Sequence, residues 1–424
     1  MKVAFVIGKF PSLSETFILN QITGLLERGH EVDIYADQPD NQSMHEDVTR
    51  YKLLDRTHYR PRLLHNPLLR LLKGVVLLAT YGWKDPKRAI KALNVWRYGR
   101  HASSLRLLFA VIPFLGESVF YDVLHCHFGP FGLRGMFLRD VAALSGKLVI
   151  TFHGADLTKD IRAFGPELYR RLFKSGDLFL PISEFWEQRL KELGCPSQKI
   201  KVHRMGIDCR EFAFSQREIG TEVTRLVSVC RLVEKKGIEY AIRAVAAVVR
   251  TGRAVQYDII GDGPLRPHLS KLVEQLAMSS FVTIHGSKRK PEVVAMLMSS
   301  HMLLAPSVTA ANGDQEGIPV ALMEAMATGL PVVSTWHSGI PELVSDGESG
   351  FLVEERDVGS LEERLIYLLD HPDIRARMGQ RGRMFVEAQF EIDKLNDRLV
   401  EIFTECLNNR NFDKSSSACQ AQRA

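Results

Sequence analysis

Short apolar runs alternate with amphipathic stretches along most of this chain. Lys2–Ile7 reads as a buried strand, Ser14 through Leu26 as an amphipathic helix stopped by Gly29, and Glu31–Ala36 as the next strand. Strand, helix and strand at this spacing make a parallel βαβ unit. After an irregular polar stretch over 38–60, strands are predicted at Val119–His127, Leu148–Phe152 and Leu178–Ile182. A helix at Glu184–Leu193 and a strand at Lys201–Met205 complete a first unit. The periodicity restarts near Gly206-Ile207-Asp208. Strands at Arg225–Val229, Gln256–Ile260, Val282–His285, Met302–Ala305 and Val332–Ser334 alternate with helices at Gly237–Val249, Leu265–Leu276, Val293–Met298 and 319–328. A short strand at Phe351–Val353 precedes helices over 358–369, 374–388 and about 391–407, and residues 408–424 read as a frayed polar tail. Alternating units of this kind predict an α/β fold with parallel sheets, in two Rossmann-like domains over 1–207 and 208–390.

The candidate chemistry gathers at the carboxyl ends of the predicted strands, where open α/β sheets bind ligands. Glu316 and Glu324 bracket Gly317-Ile318-Pro319, which opens the helix at 319–328; Pro319 suits a first turn and Gly329 the position past its end. The free N–H groups of Gly317, Ile318 and Val320 would point out of that N-terminus, and such a site favours an anion, most often phosphate. Carboxylates accept hydrogen bonds from hydroxyls. A ligand with a phosphate group and hydroxyls on both sides of it is a nucleotide sugar. Two glutamates around a helix start are commonplace, so the weight comes from their neighbours.

Arg231 and Lys236 follow the first strand of the second domain, five positions apart, and both can reach one anion, the Arg as a fork and the Lys as a point charge. Gly261-Asp262-Gly263 follows the next strand. Arg266 occupies the third glycine position of a dinucleotide fingerprint, which disfavours a nicotinamide reading and leaves a tight turn that lets backbone approach a ligand. In the first domain, the loop past the first strand carries Lys9, Ser12, Ser14 and Glu15, polar groups that could touch a second substrate. His153-Gly154 ends another strand. A lone His is more often structural, but in a cleft it could donate to an oxyanion or a sugar hydroxyl. His125-Cys126-His127 places two His on one strand face, yet no further Cys/His cluster accompanies them and no metal site is predicted.

Charge changes the picture in one place. The 424 residues carry a net +5, but residues 51–110 hold 13 Lys and Arg against two acids, a local +11 that leaves the rest of the chain at −6. There, leucines at 63, 64, 68, 69, 71 and 72 interleave with Arg62, Arg70 and Lys73. Trp83 and Trp96 sit among Lys84, Lys87, Arg88, Lys91 and Arg97. Cations beside Trp and Leu fit an anionic membrane surface, although a solvated helix face over a core has the same pattern. Nucleic acid is disfavoured, since no recognition motif accompanies the charge. Six scattered Cys suit a reducing compartment. The N-terminal apolar run is too short for a signal peptide, and no run approaches the ~20 apolar residues of a spanning helix. A cytoplasmic protein, peripherally associated with the inner membrane face, is expected.

Together these motifs resemble the retaining nucleotide-sugar glycosyltransferases of family four, which have the GT-B fold of two Rossmann-like domains facing across a cleft. The resemblance rests on Val229-Cys230-Arg231-Leu232 with Lys236-Gly237, on Gly261 through Leu265, on Gln315 through Pro319 with Glu324 through Val333, and on Gly339-Ile340-Pro341-Glu342 with the Gly347–Val353 turn. These cover nearly all of the second domain. Phe10 through Phe17 is similar to a subgroup that builds bacterial exopolysaccharide of the colanic acid type. The resemblance implies that Arg231 and Lys236 hold the donor diphosphate and Glu324 the ribose. Glu316 would take hydroxyls of the transferred sugar, and His153 would face that sugar across the cleft. It implies a metal-independent reaction without cofactor, a lipid-linked saccharide acceptor, and a last helix that crosses back onto the first domain. One departure is Gly8-Lys9-Phe10-Pro11 where the family often has a Gly-Gly loop. A sugar phosphorylase or nucleotide-sugar epimerase on the same fold, or a non-catalytic nucleotide-sugar-binding protein at a membrane surface, are the alternatives.

Overall fold

Each half of the chain builds one six-stranded sheet, and every ladder in both sheets is parallel. The computed structural model describes residues 1–12, 15–39, 45–117, 119–216 and 223–408. Ser14, and the tail beyond Asn408, therefore lie outside the described residues. In the first sheet the strands are β1 (Lys2–Val6), β2 (Glu31–Ala36), β3 (Thr57–Tyr59), β4 (Val119–His127), β5 (Leu144–Phe152) and β6 (Leu178–Pro181), in the order β3-β2-β1-β4-β5-β6. The second holds β7 (Thr224–Val229), β8 (Val255–Ile260), β9 (Val282–Gly286), β10 (Met302–Ala305), β11 (Val332–Thr335) and β12 (Gly350–Val353), in the order β12-β11-β10-β7-β8-β9. The two orders are equivalent. Each reverses direction next to its first strand, between β1 and β4 and between β7 and β10. The loops leaving such a pair diverge and open a crevice at the carboxyl edge. With helices on both faces the strands are buried from both sides, which is why β1 past Lys2, β6 and β10 read as continuous apolar runs.

The structure corrects three local expectations. The stretch over 38–60 is not irregular throughout, because Thr57–Tyr59 adds an edge strand beside Ile34–Ala36. Three residues with one apolar side chain carry too little periodicity to announce a strand. Conversely, Lys201–Met205 is no strand. It makes two backbone bonds to β6, Lys201 N to Phe179 O and His203 N to Pro181 O, both 3.0 Å. Pro181 has no N–H with which to extend the ladder. Pro319 stands just outside its helix, at φ −65° and ψ 121°, and the helix runs Val320–Ala327.

The chain crosses between the halves twice at one place. Ile207 N donates to Phe390 O and Ile392 N to Ile207 O, both at 3.0 Å. The final helix, Ile392–Asn408, then packs on the first half, where Leu399, Ile402 and Phe403 share a core with Val3, Phe5 and Leu19. Among the described residues no helix is long and apolar enough to cross a membrane.

Candidate active site

The switch point of the second sheet brings together the two loops that carry most of the candidate residues. Val308 N donates to Lys235 O at 2.9 Å, tying the loop after β10 to the loop after β7. Across that seam Glu316 is buried, at 6 % exposure, and its Oε2 accepts from Lys236 Nζ at 2.8 Å. Lys235 Nζ lies 3.5 Å from Glu316 Oε1 and 3.1 Å from Asp314 Oδ1. Burial pushes the Glu316 carboxyl up, but Lys236 and Lys235 outweigh it and hold the pKa at about 2. Glu316 is thus a fixed carboxylate. Its Oε1 is buried and has no hydrogen-bond donor among the described residues, with Lys235 Nζ standing off at 3.5 Å. Arg231, at the mouth of the same loop, is exposed and has no ion pair among the described residues.

The backbone of Glu316 is held from behind. Its N–H donates to His337 Nε2 at 3.0 Å, and His337 Nδ1 lies 2.6 Å from Glu355 Oε1. Since Nε2 accepts, the proton of His337 sits on Nδ1 and donates to Glu355, a tautomer set by the hydrogen-bond network. Ser338 Oγ donates to the Glu316 carbonyl at 2.6 Å. Past it, the N–H groups of Gly317, Ile318 and Val320 have no protein acceptor among the described residues and stand at the start of the Val320–Ala327 helix. Glu324, one turn in, is half-buried, and its carboxylate has no hydrogen-bond or ion-pair partner among the described residues. Burial pushes its pKa up to about 7, against the pull of Lys290. A polar cavity of about 520 Å³ lies between the two halves, lined by Thr23, Glu27, Arg50, Glu211 and Lys290 among others; Glu324 is not part of its lining.

Gly261 and Gly263 bring the loop after β8 onto the loop after β7. A Cβ on Gly261 would lie 1.8 Å from the Cys230 carbonyl oxygen, and one on Gly263 2.5 Å from that of Leu232. Only glycine permits this approach, which fixes the Arg231–Lys236 loop from the side.

The first half meets this site through His153. A Cβ on Gly317 would be 2.8 Å from the His153 carbonyl oxygen, and one on Gly154 3.3 Å from that of Glu316, so the halves touch backbone to backbone. Asp156 shapes the His153-Gly154 turn by accepting from His153 N at 3.1 Å, Gly154 N at 2.9 Å and, across the loop, Gly129 N at 3.0 Å. The His153 ring packs between Phe17 and Phe128, with centroids 4.8 and 4.3 Å away, and its Nε2 is 3.1 Å from His127 Nδ1. Burial lowers its pKa to about 3, so it is a neutral hydrogen-bonding group at ordinary pH. Lys9 is exposed. Lys9, Ser12 and Glu15 line a hollow of about 10 Å³ beside the cis Phe10–Pro11 bond, room for a single water and not for a sugar.

Residues 14–211 match the Glycosyltransferase Family 4 profile, and residues 210–385 match Glycosyl transferases group 1. A protein of Escherichia coli K12 named for colanic acid biosynthesis, the glycosyltransferase WcaL, is 41% identical over 416 residues, covering 95% of this chain and 99% of its own. The chain is a family-four glycosyltransferase. The amylovoran biosynthesis glycosyltransferase AmsK of Erwinia amylovora is 39% identical over 405 residues, again 95% of this chain and 99% of its own. Among solved structures, Anabaena HepE, determined in complex with UDP-glucose, aligns with a TM-score of 0.69 at 16% identity over 96% of this chain and 100% of its own. That likeness shows the GT-B fold.

Several site residues of this glycosyltransferase were not singled out from its sequence. Lys235 sits beside Lys236 and was visible as the second of two adjacent cations. Asp314, His337, Ser338 and Glu355 gave no local signal, since they act through loops 18 to 79 positions from their partners. His127 was noted only for a metal, and no group able to hold one is found among the described residues.

Proposed function

We propose that this glycosyltransferase moves a hexose from a UDP- or GDP-sugar, with retention at the anomeric carbon, onto a lipid-linked saccharide during assembly of a bacterial exopolysaccharide. The observation that carries the donor half is Glu316 Oε1, a buried carboxylate oxygen that lacks a donor, beside Lys236 and the unpaired N–H groups of Gly317, Ile318 and Val320. The N–H groups and the two cations, Lys236 and Arg231, receive the diphosphate. Glu316 accepts from hydroxyls of the sugar, Glu324 from the ribose, and His153 reaches the sugar from the facing half. Charge builds on the departing diphosphate as the glycosidic bond breaks, and fixed cations and N–H dipoles favour that state over the ground state. No step calls for a metal or a cofactor. Contact between Gly317 and His153 excludes water, leaving the acceptor hydroxyl as the nucleophile.

The acceptor half draws on two supports. WcaL and AmsK are named for colanic acid and amylovoran biosynthesis. The helix Pro67–Tyr81 leaves Leu68, Leu69, Leu72, Val75 and Val76 more than half exposed, with Trp83 at 72% and Trp96 fully bare nearby. Among these stand Arg70, Lys84 and Lys87, a surface made for the interface of an anionic membrane and consistent with a peripheral place on its cytoplasmic face.

The test is a thermal-shift screen of UDP- and GDP-hexoses with and without EDTA. Binding to the folded form alone stabilises it by ~2.7 kcal/mol at about a hundredfold excess over Kd. We expect one base to shift the melting temperature irrespective of EDTA, and Lys236→Ala to abolish the shift. A shift that needs a divalent ion, or none with either base, refutes the donor assignment. The anomeric configuration of the product, read by NMR, decides retention.

A further inference from the structure

The first half carries an excess of positive charge that the donor site does not use. Asp37, just past β2, is clamped by two guanidiniums: Arg60 Nε at 2.7 Å and Nη2 at 2.8 Å, and Arg134 Nη2 at 2.8 Å with Arg134 Nη1 also bonded. All three side chains are about four-fifths buried. One carboxylate neutralises one of the two cations, and each Arg keeps N–H groups not spent on Asp37. Arg106 adds a third cation close enough to act on Arg60. It is exposed and has no partner among the described residues. Burial first, then Arg134 and Arg106, lower the Arg60 pKa to about 10 against the pull of Asp37. Arg106 and Arg134, with Arg171, also lower the His101 pKa once burial has done so.

The place of this cluster is informative. Arg60 and Asp37 leave the carboxyl ends of β3 and β2, on the edge of the sheet that faces the cleft. Arg134 lies over Phe131 at 4.8 Å, Phe131 contacts Phe128 at 6.5 Å, and Phe128 contacts His153 at 4.3 Å, so three ring contacts separate the cluster from the candidate active site. On its other side the chain runs directly from Arg60 into the bare apolar helix at Pro67. That helix rests on the one that Arg106 begins, where a Cβ on Gly74 would be 2.8 Å from Leu105. Charge in surplus is thus set between an apolar outer face and the cleft.

We propose that Arg60, Arg106 and Arg134 form the seat of a phosphate or diphosphate carried by the acceptor lipid. This deepens, and rests on, the acceptor reading given above. An amphiphile whose tail lies along the Pro67–Tyr81 helix has its anionic head at Arg60 and its saccharide directed toward His153. Guanidiniums suit that head because Arg106 keeps a whole fork for phosphate oxygens, while Arg60 and Arg134 keep charge and the N–H groups left over from Asp37.

The experiment is flotation of the full-length protein with three kinds of vesicle: phosphatidylcholine alone, the same with polyprenyl diphosphate, and the same with phosphatidylglycerol at equal charge. The wild type is expected to bind polyprenyl diphosphate vesicles more tightly than either of the others. Arg106→Gln, at an exposed position unpaired among the described residues, and Arg134→Lys, which keeps charge but loses the N–H groups left over from Asp37, should each weaken that binding about tenfold or more. Their binding to phosphatidylglycerol should change less than twofold, and the donor-induced thermal shift should remain. Equal weakening on both anionic vesicles, or no preference for the diphosphate in the wild type, overturns the inference while the donor shift stands. Loss of the donor shift in the wild type itself overturns the reading beneath it.

Discussion

Lys236 Nζ stands 2.8 Å from Glu316 Oε2, so the two charged groups assigned to the donor neutralise each other across a seam between loops 80 positions apart. Removing the carboxylate leaves Lys235 and Lys236 without their shared partner, and breaking a buried pair on one side costs ~3–5 kcal/mol. Glu316→Gln should therefore melt at a clearly lower temperature and lose turnover. The acid sensitivity follows from the same pair. The Glu316 pKa is about 2 in the fold against 4.5 for the free group, so its contribution is complete above 4.5 and is lost as pH falls toward 2. In a pH titration of stability, that loss below pH 4.5 should shrink in Glu316→Gln; an identical curve for the two proteins would contradict the assignment.

Glu324 should confer the opposite dependence. Its pKa is raised from 4.5 to about 7, so it costs stability as pH rises through that interval, and around neutrality it is only partly ionised. Hydroxyl donors of a bound ribose favour the carboxylate. Nucleotide affinity should then increase as pH rises from 6 to 8, and Glu324→Gln should flatten the profile. Calorimetric titration at several pH values distinguishes the two, and a flat wild-type profile would remove Glu324 from the donor site.

His127 should govern the proton on His153. His127 Nε2 is buried without a partner, and a bare lone pair there costs less than an orphaned N–H. The His127 proton then sits on Nδ1 and donates to His153 Nε2, leaving His153 to donate from Nδ1. Nitrogen NMR of the wild type should show His153 protonated at Nδ1. His127→Asn keeps an N–H in about the same place and should retain most activity. His127→Phe, which preserves the stack on Phe5, should lower kcat ~10-fold or more with little change in donor affinity. Equal activity in the two variants would show His127 to be packing alone.

The apolar outer face predicts a separable defect. Leu72 and Val76 are 56% and 61% exposed, so Leu72→Glu with Val76→Glu should leave the melting temperature within about 1–2 °C. Vesicle binding should fall sharply while donor binding persists. A double variant that still floats with vesicles would rule out this helix as the membrane contact.

How much of this was legible beforehand depends on the range of each interaction. Strands buried on both faces declare themselves as apolar runs, and the Val320–Ala327 helix is bracketed by Pro319 and Gly329, so these elements could be read locally. Glu316 and Lys236 could be named one at a time from strand ends, but their ion pair could not, because nothing local records a contact across 80 residues. His337 and Glu355 are invisible for the same reason: their work is to hold the Glu316 backbone, and any His and Glu would look alike in sequence. The basic stretch shows the reverse failure. Its charge was plain, yet Arg88 is turned inward onto the Glu117 carbonyl at 2.6 Å and Arg97 onto Asp140 at 2.9 Å, so part of it braces the fold and never meets a partner outside.

The return of the Ile392–Asn408 helix to the first half has a consequence for synthesis. Leu399, Ile402 and Phe403 complete a core begun by Val3 and Phe5, so one face of the half made first waits on a helix made after the second half. Until the ribosome has passed Asn408, the groove destined for this helix stays open. The second half, whose own core draws nothing from that helix, is free to fold ahead of it. That face of the first half is then completed only after the second half can fold, and a chaperone guarding the nascent chain would find its task at the apolar face that Val3 and Phe5 leave bare.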